Sequence, residues 1–563
     1  MPSPAPAAPP RDTVKAMIAL PERPRGPQVE GPYTTWDRDA IFLSGALTLG
    51  ELVAQVPGAS LHVGSFLGGV SATSWYGEPG RVRVFVDGVE IDVLDPRLGA
   101  TADLNTIQLW TMEEVVVERG AGELRVHLRS WRVQLTTPAT RTDVLTGSEN
   151  ANLYRGFFGK RFDRGGVLQI AGQQYSTTSF RTRGDGDALA AFLRVGTARG
   201  RWTVDATFSR FGRARAPTRR YILAATPDEN AIGRFNGRDV TATLRAAYGD
   251  VDADGWWLQG IAATIQHIED DSVASSATVP DPDTLVSQGQ FVGSVGVNRG
   301  PLRLSATARY RTQHGDGRLS PSVRASYARG WLAASGYLEH GGPDSTVRFE
   351  SAVRLQPLSW LHAAGAVSQQ TPAQTLAGGP ARQNLRAELG VAARGRLLTA
   401  GIVRRSASRV PGLMVFDSVF GPATQPAGTG YEVGVSAKIV GPFSFVFRAI
   451  DWGEAALYRA ENETHAELRV STDLRKQLPR RTFNLVAAFT HDWQGTMEAP
   501  DGLGGTLRAE GASYYGTLLD VRIGSAHIFW HNRNFTGKVY ETVPGYLAPR
   551  LVQLYGIRWE FWN

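Results

Sequence analysis

The amino-acid sequence predicts a mainly β protein: a 22-stranded antiparallel transmembrane β-barrel with a small α+β N-terminal plug domain inside its lumen. Three patterns predict this fold class. Apolar and polar residues alternate along many short segments, tight turns alternate with longer loops, and aromatic residues repeatedly open the segment that follows a tight turn.

Alternation is clearest in residues 301–311. Leu302, Leu304 and Tyr310 fall on one face of the predicted strand, whereas Arg309 and Arg311 fall on the other. A half-buried strand of a soluble protein would show the same pattern. Alternation by itself therefore leaves a sandwich and a membrane barrel open.

The connections between the predicted strands favour the barrel. Long loops occur around Pro217, Pro280, Pro411 and Pro500. They alternate with tight turns at Asp163, Ala198, Asp252, Asn298, Ala328, Gln356, Ala393, Val440, Leu478 and Ile523. A barrel with short periplasmic turns and long external loops has this alternation, whereas a sandwich gives no reason for it.

Aromatic residues begin several strands just after a tight turn. They are Trp202, Trp256, Trp331, Trp360 and Phe443. Tryptophan prefers the membrane interface because its ring is apolar and its N–H group needs a polar partner. The repeated placement predicts one aromatic girdle of a transmembrane barrel.

Composition excludes several other classes of protein. The 563 residues include no cysteine, which excludes disulfides, thiolate metal sites and cysteine catalysis. The net charge of +7 is scattered, and no dense basic run with interleaved aromatics indicates nucleic-acid binding. No apolar stretch is long enough for a transmembrane helix. The N-terminus lacks the apolar core of a secretory signal, which leaves open a removed signal, a misassigned start or a cytosolic protein.

The chain divides into three predicted regions. Residues 1–40 are rich in proline and poor in apolar anchors, which predicts a flexible tail. Residues 41–138 predict the plug domain, and residues 139–563 predict the barrel. A barrel of this size encloses a lumen too wide for wall side chains to fill, so we expect the preceding domain to fill it.

Within the plug, a helix is expected over residues 48–58. A strand is expected from residue 81, with Val82, Val84 and Val86 on one buried face. The pair Asp87 and Gly88 predicts a hairpin turn.

Three blocks of the plug segment carry a family resemblance. LVAQVPGAS ends at Ser60, VFVDGVEI spans residues 84–91, and EEVVVERG spans residues 113–120. In order and spacing they resemble the plug of TonB-dependent outer-membrane receptors, and residues 543–562 resemble the last barrel strand of that family. The resemblance implies a receptor in the cell outer membrane that imports a scarce solute, such as a ferric chelate or a cobalamin, through a plug-gated barrel.

The resemblance also implies a periplasmic partner, a TonB-type energy-coupling protein. The family contacts it through a short strand-forming box in the N-terminal tail, which adds a strand to the partner's sheet. DTVKA resembles that box, and we expect TonB contacts at Asp12, Thr13, Val14, Lys15 and Ala16. Outer-membrane lipid and lipopolysaccharide are the other expected contacts, with the receptor as a monomer.

Five arginines between residues 210 and 220 predict a ligand-contacting external loop: Arg210, Arg213, Arg215, Arg219 and Arg220. Guanidinium groups bind carboxylates and phosphates in a bidentate manner, so this loop could hold an anionic metal chelate. Contacts with lipopolysaccharide phosphates, or a solvated loop, are the alternatives.

Other polar patterns have ordinary explanations. Asp250, Asp252 and Asp254 begin like a calcium loop, but the twelfth position is Ile261, so an acidic turn is expected. External acids, including Glu269, are expected to be solubilising charges. His527 and His531 share a strand face too far apart for one metal, so girdle or lumen contacts are expected.

No catalytic arrangement, phosphate loop or zinc spacing occurs, so no enzyme activity, cofactor or metal is expected. Besides energised import, two hypotheses stay open. One is a plugged barrel that acts as a surface receptor or structural component without energised transport. The other is a soluble β-rich secreted protein.

Overall fold

The chain forms an N-terminal plug and a closed barrel of 22 antiparallel strands. The computed structural model describes residues 34–562 except 65–68, 70, 96–100, 135, 179–185, 217, 221–227, 231–234, 270–284, 314, 342–345, 372–380 and 474–482. No helix in these described parts is both long enough and apolar enough to cross a membrane.

The described part of the plug contains two short α-helices and eight strands. The helices are α1 (Arg38–Leu43) and α2 (Leu49–Val53). The strands are β1 (Thr35–Asp37), β2 (Ala59–Val63), β3 (Ser71–Trp75), β4 (Glu78–Pro79), β5 (Val82–Val86), β6 (Val89–Glu90), β7 (Met112–Arg119) and β8 (Leu124–Ser130). One sheet has the order β1-β7-β8-β5-β6, with β5 and β8 parallel, and β2-β3-β4 form a second sheet.

Side-chain caps set the starts of both helices. Asp37 accepts a hydrogen bond from the Ala40 amide before α1, and Thr48 accepts one from the Glu51 amide before α2. The predicted helix over residues 48–58 is therefore confirmed at its start, but it ends at Val53. The plug sheet begins at Thr35, which lies inside the segment expected to be a flexible tail.

Strand β5 is buried on both faces. Val82 and Val84 join the plug core, as predicted, but Arg81 and Arg83 on the opposite face are buried as well. The second face is buried because it meets the barrel wall. The predicted turn after this strand is confirmed, since Asp87 and Gly88 both have positive φ, of 49° and 88°, as a type I′ hairpin requires.

The barrel wall comprises 22 strands, numbered β9 to β30. They are Ala139–Gly147, Asn152–Arg161, Gly166–Thr177, Gly186–Arg199, Trp202–Arg215, Phe235–Tyr248, Gly255–Glu269, Leu285–Arg299, Leu302–Gln313, Asp316–Arg329, Leu332–His340, Val347–Leu358, Leu361–Gln370, Arg382–Ala393, Arg396–Arg405, Gly428–Val440, Phe443–Asp451, Asn462–Thr472, Phe483–Gln494, Ala512–Ile523, Ala526–Arg533 and Val552–Trp562. The first and last strands pair antiparallel and close the wall.

The external loops carry short hairpins of their own. These pair Thr218–Arg220 with Asp228–Asn230, Ser408–Val410 with Ala423–Gln425, Met497–Pro500 with Thr506–Ala509, and Glu541–Val543 with Tyr546–Leu547. The predicted tight turns all begin in the last residues of a wall strand or shortly after it, except that Leu478 lies outside the described residues.

The wall exposes apolar side chains on its outer face and buries charged side chains on its inner face, which is the reverse of a soluble protein. The girdle residues Trp202, Trp256, Trp331, Trp360 and Phe443 are all 40% to 60% exposed. Along β17 (Leu302–Gln313) the apolar side chains are exposed, whereas Arg309 and Arg311 are buried. An apolar outer face with charged side chains turned inward is typical of a membrane barrel, so the sandwich is excluded.

Replacement of Val323 by arginine tests this assignment. Val323 is 52% exposed in the middle of β18 (Asp316–Arg329), where we expect lipid, so the substitution should destabilise the barrel by about 2–4 kcal/mol. Leu503→Arg, at a loop residue 93% exposed, is the control and should be neutral. Denaturant unfolding in lipid vesicles measures both. Equal, negligible effects would contradict a lipid-facing wall.

Candidate functional site

A buried arginine of the plug joins plug and wall. Arg83 donates to both Oε atoms of Glu90 at 2.6 and 2.9 Å, and to both Oε atoms of Glu339 at 2.7 and 3.0 Å. Glu90 belongs to the plug, and Glu339 projects from wall strand β19 (Leu332–His340). Wall residues Arg309 and Arg311 also donate to Glu90. Burial opposes ionisation of Glu90, but Arg83, Arg311 and Arg309 together hold its pKa well below the usual range.

A second group of ion pairs is centred on Arg125. Its guanidinium pairs with Glu123 at 2.7 Å and Glu118 at 3.3 Å in the plug, and with Glu350 of the wall at 3.5 Å. Glu118 in turn accepts two hydrogen bonds from wall residue Arg324, at 2.6 and 3.1 Å. Both charge signs on the plug therefore meet the opposite sign on the wall.

The β5–β6 hairpin tip carries a third contact. Asp87 accepts from Arg194 of the wall at 2.8 Å and from Arg132 at 3.2 Å. Burial by itself would raise the pKa of Asp87, but the nearby Arg194, Arg132 and Arg245 lower it far below the usual range. Asp87 therefore stays ionised, and the tip is held electrostatically against the wall.

These buried ion pairs oppose a stepwise separation of the plug from the wall, in which one pair breaks at a time. Removing one member of a buried ion pair leaves its partner unpaired, which costs about 3–5 kcal/mol. A force on the plug that exposes several ion pairs to water at the same time avoids leaving any buried charge without its partner. The interface can thus hold the plug firmly and still allow concerted release.

Two of the predicted ligand-binding arginines have a different location. Arg213 and Arg215 were expected in an external loop, but they end wall strand β13 (Trp202–Arg215) and are buried. Asp103 of the plug accepts from Arg213 at 2.5 Å and from Arg215 at 3.5 Å. The reason is strand alternation, which turns both side chains into the lumen, while Arg210 is exposed.

The remaining predicted site residues keep their status as predictions. Arg219 and Arg220 lie in the loop strand Thr218–Arg220, which lies beside Tyr546–Leu547 of another external loop. The TonB box at 12–16 lies outside the described residues. The expectation that Glu269 is a solubilising charge is wrong, because it is buried at the end of its wall strand, and the other external acids, Asp270, Asp271, Asp281 and Asp283, lie outside the described residues.

The acidic turn is an ordinary turn. Asp250 accepts from the Asp252 amide at 2.8 Å, and Asp254 accepts from the Gly300 amide at 3.1 Å. Where the chain is described, no group of three or more histidine, aspartate or glutamate side chains is arranged to hold a metal ion. On strand β29 (Ala526–Arg533), His527 bonds Asp520 at 2.9 Å, a lumen contact of the kind expected.

Four external loops form an apolar cluster, here called the outer cap. Its members are Val410, Leu413, Val415, Phe416, Phe420, Tyr458, Ala460, Met497, Ala499, Val543 and Tyr546, packed on Ala72 of the plug. The Tyr546 hydroxyl donates to the Phe416 carbonyl at 2.6 Å, and the Tyr458 hydroxyl donates to the Gly421 carbonyl at 2.7 Å. The cap covers the outer side of the plug near strand β3.

One cap loop is joined directly to plug strand β2. Thr542 Oγ1 accepts from the Val63 amide at 2.8 Å and donates to the Val63 carbonyl at 3.0 Å. Buried His62 contacts the Thr542 carbonyl at 3.3 Å and Ser74 Oγ at 3.1 Å. Burial lowers the pKa of His62 to about 4 against the opposing effect of its bond to Thr542, so the ring is neutral at physiological pH.

A cavity of about 320 Å³ separates the plug from one side of the wall. The plug contributes residues between 44 and 63 together with Gly69, Ser71 and Asn105, and the wall contributes inward-facing residues of β24 to β30. Tyr540, Thr542 and Pro549 of the cap loop at 534–551 also line the cavity. Sequence reasoning missed the cap and the cavity, although the dense aromatics of the last external loops were a visible signal of packing.

A double-mutant cycle at Arg83 and Glu339 tests the gate. Arg83→Gln and Glu339→Gln should each lower the free energy of plug opening by about 1.5–3 kcal/mol, because each removes charged hydrogen bonds while Arg83 keeps Glu90 and Glu339 keeps Arg348. The double variant should lose less than the sum. Hydrogen exchange at the amides of Val82–Val86 measures opening, with exposed Arg303→Gln as the control. Additive losses would show that the two residues do not form a functional pair.

Comparison with known proteins agrees with this architecture. Residues 28–127 match the family model of the TonB-dependent receptor plug domain. No curated protein matches the sequence. The match lies in the segment that the structure forms into the plug, and the family and fold are those of receptors and transporters, not of enzymes.

Solved structures share the fold at low sequence identity. The siderophore receptor PirA from Acinetobacter baumannii is 11% identical with a TM-score of 0.70, covering 94% of this chain and 98% of its own. The FrpB iron transporter (F5-1 variant) from Neisseria meningitidis is 10% identical with a TM-score of 0.72, covering 94% and 100%. A mutant ferric enterobactin receptor from Pseudomonas aeruginosa is 12% identical with a TM-score of 0.69, covering 94% and 98%.

At such identities the structural likeness supports the fold alone, so the assignment depends on the plug match and the barrel together. The matched plug lies in the lumen of a closed 22-strand wall and is tied to it by buried ion pairs. The chain therefore carries a TonB-dependent receptor plug domain inside a closed 22-strand barrel, which is the architecture of plug-gated receptors of the cell outer membrane.

Proposed function

We propose that this receptor carries out energised import of a scarce solute. The observation that carries the proposal is the plug itself, which is held to the wall by ion pairs that a concerted pull can release. The external loops and the cavity beside the plug capture the solute, and movement of the plug opens the path. The predicted division into a tail at 1–40, a plug at 41–138 and a barrel at 139–563 is part of this proposal, with the plug extended to include β1 (Thr35–Asp37) and α1 (Arg38–Leu43).

The pull comes from a TonB-type protein in the periplasm. The segment Asp12–Ala16 pairs with that partner as an added β-strand, which gives a mechanical grip through backbone hydrogen bonds. A tail anchored to β1 (Thr35–Asp37) would transmit force to β7, because these two strands pair antiparallel. The pull would thus act on the sheet that carries Arg83 and Arg125.

The proposed cargo is a ferric chelate, a cobalamin or a similar nutrient. Support comes from the solved structures of similar fold, whose names describe siderophore and iron transport. Arg219 and Arg220 are the proposed external contacts with an anionic part of the cargo. Outer-membrane lipid and lipopolysaccharide surround the wall, and the receptor functions as a monomer.

The number of buried ion pairs between plug and wall favours a second function. A plug held at Glu90, Glu118 and Asp87 by buried arginines could also be static. The protein would then be a surface receptor or structural component, and solute binding would occur without energised transport.

Deletion of residues 12–16 separates the two functions. Energised import predicts that uptake of the cargo is lost while binding to whole cells is retained, because the coupling segment is absent but the external face is intact. Deletion of residues 3–7, five residues of the same proline-rich tail, is the matched control and should leave uptake unchanged. Cells are assayed with labelled ferric chelates and cobalamin. Unchanged uptake in both deletions would favour the static receptor.

A further inference from the structure

One external loop of the outer cap buries an arginine that has no counter-charge. The loop spans residues 452–461 and joins wall strands β25 (Phe443–Asp451) and β26 (Asn462–Thr472). Arg459 is only 3% exposed, yet the described part of the chain offers its Nε and Nη1 atoms no hydrogen-bond partner and its guanidinium no ion pair. Such a charge is costly to bury, because neither water nor a carboxylate compensates it.

Close contacts with plug and wall hold Arg459 in this position. Its aliphatic stem lies on the plug turn at Gly77, where an added Cβ atom would collide with Arg459 Cβ and Cγ. Its guanidinium lies 4.5 Å from the centre of the Trp452 ring, which compensates the charge only in part. An added Cβ atom at Gly428 would lie 2.6 Å from Arg459 Nη1. The two glycines therefore allow the loop, the plug and a wall strand to meet at this arginine.

The charges nearest to Arg459 are mostly positive. Gly428 pairs in register with Arg405, so the guanidinium groups of Arg405 and Arg459 are neighbours. Arg405 donates to Glu78 of the plug at 2.9 Å, whereas Arg382 donates to a backbone carbonyl. Among the described residues, Glu78 is the one carboxylate that pairs with any of these three arginines. Burial and the charge of Arg405 together lower the pKa of Arg459.

The backbone of the loop is strained next to this arginine. Tyr458 has a φ of 61°, a left-handed conformation that bulky side chains rarely adopt. The residue is held there because its hydroxyl donates to the Gly421 carbonyl and its amide donates to the Glu498 carbonyl, both at 2.7 Å. Strain at Tyr458 and uncompensated charge at Arg459 both favour departure from the closed position, whereas packing in the cap opposes it.

We propose that loop 452–461 is a lid that lifts to admit an oxyanion between Arg459 and Arg405. Guanidinium groups bind carboxylates and phosphates through parallel hydrogen bonds, and such a group supplies the counter-charge that the closed loop lacks. A ligand that binds the lifted loop more tightly than the closed loop shifts the population toward the lifted state. The oxyanion is either a free phosphate or an anionic group of the captured solute, and only the second source rests on the proposed function.

Hydrogen exchange of the full-length receptor in detergent measures lifting of the loop. The amides of Tyr458 and Glu461 donate to the carbonyls of Glu498 and Thr496 in the neighbouring loop, so their exchange reports separation of the two loops. The probes are inorganic phosphate and ferric citrate, each compared with chloride at equal ionic strength. We expect an oxyanion to accelerate exchange at both amides. Acceleration by phosphate would identify a free anion, and acceleration by the chelate alone would identify a group of the solute.

Variants of Arg459 locate the response. Arg459→Met keeps a stem that packs on the plug turn but removes the charge, so it should slow exchange at the two amides about tenfold without a probe and abolish the response to phosphate. Arg459→Lys keeps the charge but not the planar fork, so exchange should stay fast while the response weakens. Arg508→Met removes an exposed arginine from another external loop and should behave like the unaltered receptor. A heat-modifiable band on a gel verifies that each variant folds.

Two results would overturn the inference: exchange that stays the same or slows when either oxyanion is added, or equal behaviour of the Arg459→Met and Arg508→Met variants. Either would leave the tail-deletion test of import untouched, because that test measures uptake. Conversely, an oxyanion response that depends on Arg459, together with uptake that does not depend on residues 12–16, would refute energised import and leave the lid standing.

Discussion

A 22-strand wall encloses a lumen that has to be filled, and once it is filled the charges lining it have to be paired. This constraint explains the plug. Strand β5 alternates like a half-buried strand, yet its arginine face is buried as deeply as its valine face because Arg83 meets Glu339 of the wall. The plug therefore buries an apolar core and, on the face toward the wall, charged side chains that pair with the barrel.

Charged contacts suit a plug that has to be both specific and releasable. A buried ion pair adds little net stability over an apolar contact of similar shape, but it penalises any position in which one partner is left alone. Arg83, Arg125 and Asp87 thus determine where the plug sits. Apolar contacts also join plug and wall, as where Val89 packs with Ile261 and Ile265, and a separate apolar cluster forms the outer cap around Phe416 and Tyr546.

The sequence predicted what depends on local pattern and missed what depends on distant partners. Strand alternation, turn positions and the girdle at Trp202 are local, and the structure confirms them. Arg213 was placed in a loop because nothing near it reveals its partner, Asp103, 110 residues away in the chain. The cavity was also missed, because it forms only where plug residues around 44–63 meet wall strands that are several hundred residues away in the chain.

Gating of the barrel depends on the plug being seated in the lumen in this register, and cysteine cross-linking tests that position most directly. A Cβ atom at Gly122 would lie 3.2 Å from Ser368 Cβ, close to disulfide distance, and the chain has no other cysteine. Oxidation of whole cells should cross-link the pair Gly122→Cys and Ser368→Cys. The pair Gly122→Cys and Val367→Cys, whose second side chain faces outward, should stay reduced. No disulfide in the first pair, or equal yields in both, would contradict the seated plug.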